Sequence, residues 1–541
     1  MNKRNVAIVG IDGGTLKILR SLMKINNIPN ISHMFNSGYS AILKSTIPPT
    51  TIPGWYSLAT GLNPGKLGIC SFMVNKLNNK RRLVSSKDIQ GKALWDYISD
   101  KGLKSAIINF PTYPPYPING YFVTGMLTPS GKNYTYPLDF KYVIEKDIGE
   151  YYIDIDHYEY GNTTKLLEVC IDSITQKSKL INLIIKKEYI NFLFVIFTET
   201  DRIQHHIWNK MKIYDDRIEF SDKKLGELFF EFWIELDKII GEILKRYQNV
   251  IIVSDHGFTS FEGEFYINEW LIREGFLKCS IKYSSRWYHH MPLLENFKKI
   301  LIKYGLFDGV VSLGKKIIGK NNLKNLQNKI FPREKINLDE IIIQEESKAY
   351  ALEGEPTTGQ IAINSNNEDE KRKIRKLIIK KLKIDLGSFI KVYTKEELYW
   401  GPKKFLKRMP DIIFYLDDWK WNINPYIRIH TFSRNVKEHS YLSKVDDPRV
   451  SGVHDINGIF IAYGKDIKQE HSNKSFQILD IAPTVLFMLN IPLPRYIDGK
   501  VIKEIFKQES EYYIKKVEYS QYINRYYLKR DIYSLKKGDI L

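Results

Sequence analysis

Six short runs rich in β-branched and aromatic residues constrain the fold most: NVAIVGID (residues 5–12), SAIINFP (105–111), NFLFVIFTETD (191–201), NVIIVSDHG (249–257), DIIFYL (411–416) and NGIFIAYG (457–464). Each is followed by a turn and a helix-like stretch. Their apolar residues are continuous rather than alternating, so both faces of the resulting sheet must be covered. Strands alternating with helices predict an α/β domain, a three-layer α/β/α sandwich on a mainly parallel sheet. In such sheets the working residues gather beyond the carboxyl ends of the strands.

The rhythm breaks between about residues 278 and 344, where basic helix-like segments such as LENFKKILIKYGLF replace it. The expected organisation is an α/β core over 1–277 and 345–502, a helical insertion or cap over 278–344, and a helical tail over 503–541. In that tail Tyr512, Tyr519, Tyr526 and Tyr533 recur every seven residues, the spacing of one helix face.

At 541 residues, 43% of them hydrophobic and 26% charged, the chain can bury a large core. Its longest apolar runs fall short of a membrane span. The N-terminal apolar run is too short for a secretory core and is read as the first strand. Cys70, Cys170 and Cys279 lie far apart without a CxxC pair, so neither a disulfide framework nor a zinc knuckle is expected, and a reducing cytoplasmic setting is. The net charge of +19, from 81 Lys+Arg against 62 Asp+Glu, is spread along the chain. A basic nucleic-acid or anionic-surface binder is therefore the competing class, with the tyrosine-rich tail its only candidate element. Nucleic acid is not the expected partner; positive potential also gathers a small phosphorylated substrate.

Several strand ends carry chemistry. The first run ends in Asp12, followed by Gly13 and Gly14. After the 191–197 run, a helix-like segment places Asp201 and His205 four residues apart, on one face. The adjacent His206 falls about 100° round that helix, in a packing or solvent position. The 249–253 run leads into Asp255 and His256, and His454 precedes the 457–464 run. Three aspartates and three histidines are the ligand supply for two divalent ions, and without thiolates they suit zinc, manganese or iron better than calcium.

Taken in order, GIDGGT, STIPPTTIPGWYSLATGLNPGKLGI, TETDRIQHH, SDHGF and GVHDINGIFIAYG resemble the alkaline phosphatase superfamily. The likeness is greatest to its type I phosphodiesterase/nucleotide pyrophosphatase branch, and within that to the phosphohydrolase/phosphomutase group. It extends over roughly residues 5–502. The resemblance implies an alkaline phosphatase-like fold and a metal-dependent phosphohydrolase with two divalent ions, zinc first. Asp12, Asp255 and His256 are implied as ligands of one ion, and Asp201, His205 and His454 as ligands of the other.

Thr51, directly before I-P, is implied as the nucleophile at the metals, forming a covalent phosphothreonine, with Thr50 the neighbouring alternative. The amides of Ile52 and Gly54 are expected to face phosphate. The branch carries asparagine where this chain has Gly54. T-I-P-G-W lacks the modifiable residue and the arginine of sulfatases, and the insertion is misplaced for phosphoglycerate mutases. Hydrolysis of a phosphodiester or pyrophosphate leads, with phosphomonoester hydrolysis or phosphomutase chemistry on a small metabolite as the alternative. His289, His290, Lys66, Glu353 and Glu355 receive no role.

Overall fold

The computed structural model describes residues 4–75, 81–88, 90–155, 162–214, 217–278, 344–427, 441–444 and 451–520. The chain divides into two compact units. One comprises Met1–Thr259, Glu396–Met409 and His454–Leu541; the other comprises Ser260–Lys395 and Pro410–Val453.

The first unit is built on a nine-stranded mixed sheet. Strand Val6–Ile11 lies at its centre and pairs in parallel with Asn249–Val253 on one side and Phe192–Phe197 on the other. Its neighbours continue in parallel through Ser105–Phe110 to Gly120–Thr124. On the opposite flank Asn457–Gly464 runs antiparallel, followed by Tyr39–Lys44 and then Glu470–Gln477. Five of the six expected strands belong to this sheet.

Side-chain alternation along the central strand separates two cores. Val6 and Ile8 pack with helices Thr51–Thr60, Leu94–Asp100 and Ile481–Met488; Ala7, Val9 and Ile11 pack with helices Leu16–Lys24, Pro29–Ser37, Thr163–Lys187 and Lys223–Leu244. Every residue of Val6–Ile11, Phe192–Phe197 and Asn249–Val253 is buried, as the unbroken apolar runs require. The α/β sandwich is thus present as expected, with helices on both faces.

The sixth run departs from expectation. Ile412–Leu416 joins a four-stranded sheet of the second unit with Ala349–Ala351, Gly359–Ile363 and Ile390–Thr394. Helix Glu368–Leu386 covers that sheet through Ile374, Ile378 and Leu382. Residues 345–502 therefore do not all return to the large sheet: an apolar strand announces a buried sheet but not which one. The expected insertion over 278–344 lies almost wholly outside the described residues. The tail is not one helix: Glu511–Ile514 forms a single turn and Tyr519–Ser520 a short strand beside Leu493–Pro494. Tyr512 is buried there against Phe506, while Tyr526 and Tyr533 lie outside the described residues.

The sheet centre is held by rings. Phe194 meets Trp55 and Phe110 edge-on, each at a centroid distance of 5.8 Å, and is fully buried. Phe194→Ala is expected to cost about 3–5 kcal/mol of stability. Urea unfolding checks it, and a loss under about 1 kcal/mol would contradict the packing described.

Candidate active site

The strand register explains why distant motifs meet. Ile11 pairs with Phe197, and Gly10 with Val253, so three adjacent parallel strands end at one edge of the sheet. Asp12 follows the first of those ends directly, Asp255 and His256 come two and three residues after Val253, and Asp201 lies four residues after Phe197 in the helix Glu199–Ile207. The antiparallel strand Asn457–Gly464 starts at the same edge, since Val253 pairs with Phe460, and this delivers His454 just before it. Lys44, paired with Asn457, ends the next strand there and releases the chain into the turn before Thr51.

Two groups of three result. Asp12, Asp255 and His256 form one; Asp201, His205 and His454 form the other. In the first, His256 Nε2 lies 3.5 Å from Asp12 Oδ1 and 3.2 Å from Asp255 Oδ2. In the second, His454 Nε2 lies 3.2 Å from Asp201 Oδ1 and 3.1 Å from His205 Nε2, and His205 Nε2 lies 3.4 Å from the same carboxylate oxygen. Tetrahedral ligands about 2.0–2.1 Å from a zinc-sized ion stand roughly 3.3 Å from one another, so both groups have the required spacing. The rings of His256 and His454 stack at 3.7 Å and set the two groups side by side.

Neighbouring bonds leave the ligand-type atoms available. A carbonyl oxygen only accepts, so the 3.0 Å contacts of His256 Nδ1 with Gly257 O and His454 Nδ1 with Pro49 O place each proton on Nδ1. In the neutral ring Nε2 then carries a lone pair. Trp55 Nε1 donates to Asp12 Oδ2 at 3.0 Å, and Gly13 N to Asp255 Oδ1 at 3.2 Å. The remaining atoms, Asp12 Oδ1, Asp255 Oδ2, Asp201 Oδ1 and His256 Nε2, are buried without a hydrogen-bond partner. Orphaned buried polar atoms are costly, and three of them meeting in the Asp12, Asp255 and His256 group, with a fourth in the group beside it, is the arrangement of ion-binding residues. The residues present thus fit divalent cations.

The scaffold beneath is itself braced. Gly13, at φ +64°, turns the chain after Asp12 in a conformation that favours glycine. Its carbonyl accepts from Gln204 Nε2, and Thr200 Oγ1 donates to the Asp12 carbonyl. At the start of the Asp201 helix, Glu199 is buried against Lys177 at 2.8 Å, and Ser173 Oγ donates to the same carboxylate. Removing one partner of such a buried pair typically costs about 3–5 kcal/mol.

The turn before Thr51 and the helix it opens are tied to this constellation at three places. The Pro49 carbonyl holds His454, Gly54 lies against Asp255, and Trp55 holds Asp12. A Cβ on Gly54 would lie 3.0 Å from Asp255 Cβ and 3.2 Å from its carbonyl oxygen. An asparagine there would press on the neighbouring carboxylate residue, which would have to give by a few tenths of an ångström. The helix opens with Thr50 as its cap residue and Thr51 as its first turn. Thr50 makes no side-chain capping bond, and its buried Oγ1 has no partner. Pro53 at the third helical position removes one of the two N–H groups that a cap oxygen ordinarily accepts from.

One expectation is corrected: the Gly54 amide donates to Thr50 O at 2.9 Å and is not free for phosphate. The amides of Thr51 and Ile52 precede that first intrahelical bond.

Of the remaining residues, His206 is buried. Lys66 pairs with Asp498 at 2.6 Å. Glu353 accepts from the Tyr426 hydroxyl at 3.4 Å. His289 and His290 lie outside the described residues. Trp55 and the Pro49 carbonyl had drawn no functional reading from the sequence. A carbonyl leaves no trace in residue type, but Trp55, four residues after Thr51, shares its helix face and was open to notice.

Burial, then the charge of Asp201, raises Asp12 from 3.8 to about 8. Burial, then Asp12, pushes Asp255 well above the carboxylate range. Burial would raise Asp201 as well, but His205 and His454 beside it outweigh that and hold Asp201 well below that range. Burial and the charge of His454 push His256 well below its ordinary value, so it is neutral. Chelator-treated protein therefore holds on Asp12 a proton that the unfolded chain has released between 3.8 and about 8. That contribution to stability is fully present below 3.8 and is lost as pH rises through about 8. Thermal melts of chelator-treated protein should fall from about pH 5 to pH 8, and added zinc should restore most at the upper end, where fewer protons compete. Melts independent of both pH and zinc would contradict this.

The type I phosphodiesterase/nucleotide pyrophosphatase family model matches residues 6–442. No curated protein matches the chain. Among solved structures, a murine ectonucleotide pyrophosphatase/phosphodiesterase 5, an inactive variant in complex with AMP, is similar at 15% identity and a TM-score of 0.47. The human ectonucleotide pyrophosphatase/phosphodiesterase 5 gives the same two values. Each alignment covers 93% of this chain and 100% of the other. With four-fifths of its length matched by the family model, the chain belongs to the type I phosphodiesterase/nucleotide pyrophosphatase family, whose members are phosphoric ester hydrolases.

Proposed function

We propose that this hydrolase cleaves a phosphodiester or pyrophosphate bond of a small phosphorylated substrate through a covalent phosphothreonine on Thr51, at a site holding two divalent cations. The observation that carries the reading is the pair of three-residue groups with orphaned ligand atoms, set against the start of the Thr51 helix. Asp12, Asp255 and His256 hold one cation in this reading, and Asp201, His205 and His454 the other. Bound there, divalent cations of the zinc type supply Lewis-acid stabilisation of phosphoryl oxygens and favour ionised hydroxyls.

The chain's own residues do the rest. Thr51 Oγ1 forms a bond to phosphorus as the bond to the leaving-group oxygen breaks. Water then cleaves the Oγ1–phosphorus bond and restores the threonine. The amides of Thr51 and Ile52, at the positive end of the helix dipole, face the charge carried by the phosphoryl oxygens. Thr51 is preferred over Thr50 as nucleophile because it stands directly before the I-P element, while Thr50 occupies the cap position. A reducing, cytoplasmic setting goes with this reading, supported by the wide spacing of Cys70, Cys170 and Cys279 without a CxxC pair. Among the described residues no helix is long and apolar enough to cross a membrane.

Thr51→Ala should lower turnover of an aryl phosphodiester at least about a thousandfold while leaving metal content unchanged, and Thr51→Ser should retain part of the rate. Undiminished turnover by Thr51→Ala would overturn the choice of nucleophile. A panel of monoesters, diesters and nucleotide sugars checks the substrate class; faster turnover of monoesters would overturn the diesterase reading.

A further inference from the structure

The metal groups account for Asp12 as a ligand but not for how one of its two oxygens comes to face the cation. A carboxylate rotates about its Cα–Cβ and Cβ–Cγ bonds, and a bare one can turn either oxygen, or neither, toward His256. Trp55 settles the choice. Its indole is fully buried, and its Nε1–H donates to Asp12 Oδ2 at 3.0 Å. The partner oxygen, Oδ1, is left without a hydrogen bond, 3.5 Å from His256 Nε2.

The bond is enforced from both sides. A buried indole N–H without an acceptor is costly, so Trp55 needs Asp12 as much as Asp12 needs Trp55. Room for the ring comes from the central strand: a Cβ on Gly10 would lie 2.5 Å from Trp55 Cη2. Phe194, edge-on at 5.8 Å, closes the other side. Trp55 also stands one helical turn after Thr51, so one rigid helix carries both the proposed nucleophile and the residue that aims a ligand.

We infer that Trp55 is a positioning residue for the Asp12, Asp255 and His256 group, fixing Asp12 so that Oδ1 alone is presented to a divalent cation and setting the affinity of that group. The inference rests on the metal-binding reading of the group, and its test separates the two. Partners that orient metal ligands typically change affinity about 10–100-fold when removed.

Zinc affinity is measured by competition with a chromophoric chelator on the full-length chain, for wild type, Trp55→Phe and Trp95→Phe. Trp95 is a buried tryptophan of the same core whose indole donates to Tyr116 instead, so its replacement loosens the core without touching Asp12. The expected result is a 10–100-fold weakening at one of two sites in Trp55→Phe, with the second site unchanged and both sites unchanged in Trp95→Phe. Should Trp55→Phe not fold, benzothienylalanine at position 55 keeps the ring shape and removes only the N–H, with the same expected weakening. Unaltered affinity without the N–H, or equal weakening in Trp95→Phe, overturns the role of Trp55 alone. A wild-type chain that binds no zinc overturns the metal reading, and this inference with it.

Discussion

Everything at this site depends on the in-register parallel pairing of Val6–Ile11 with the strands on either side of it. Parallel strands paired without offset must end together, and the residues just beyond each end then lie close to those of the neighbouring strands whatever their sequence separation. Asp12, Asp201 and Asp255 are brought together across some 240 residues in this way. The antiparallel strand Asn457–Gly464 extends the effect, because a strand entering at that edge brings there the short strand before it, Gly452–Asp455, which carries His454. A register slip of one residue would invert the faces of the central strand and scatter the ligand-type atoms together.

Electrostatics sets a second constraint. Three aspartates within contact of three imidazoles, nearly all buried, are an expensive arrangement in a protein interior. Asp201 is stabilised by His205 and His454, whereas Asp12 and Asp255 are driven toward their protonated forms. The groups are thus unequal. The group at the end of the central strand lacks a compensating positive charge of its own, and the other is partly compensated by its own histidines. Bracing by the Lys177–Glu199 pair and by the bonds to the Asp12 carbonyl and to Asp255 limits how far the carboxylates can relax away.

Much of this was legible in the sequence, for identifiable reasons. Unbroken apolar runs state that a strand is buried on both sides, and polar residues at their ends state which edge works. That led to six strands in one sheet, five of which are there, while the grouping of Asp12 with Asp255 and His256, and of Asp201 with His205 and His454, followed from the family resemblance. Ile412–Leu416 shows the limit: apolar periodicity does not encode sheet membership, and this strand serves the other unit. Heptad-spaced tyrosines in the tail suggested one helix face, but Tyr512 packs from a single helical turn and Tyr519 sits in a strand. Gly54 was legible only as a missing asparagine; its close approach to Asp255 is a fact of three dimensions. The free-amide reading failed at Gly54 because the fourth helical residue is the first whose N–H finds a carbonyl four residues back, that of Thr50.

Anomalous scattering from crystals of the zinc-loaded protein, collected on both sides of the zinc absorption edge, decides whether one sheet edge holds two cation sites, side by side, against the Thr51 helix. The expected result is two peaks about 3.5–4 Å apart. One should lie about 2.0–2.2 Å from atoms of Asp12, Asp255 and His256, and the other at that distance from Asp201, His205 and His454. A single peak, or peaks bound by other residues, would contradict that arrangement.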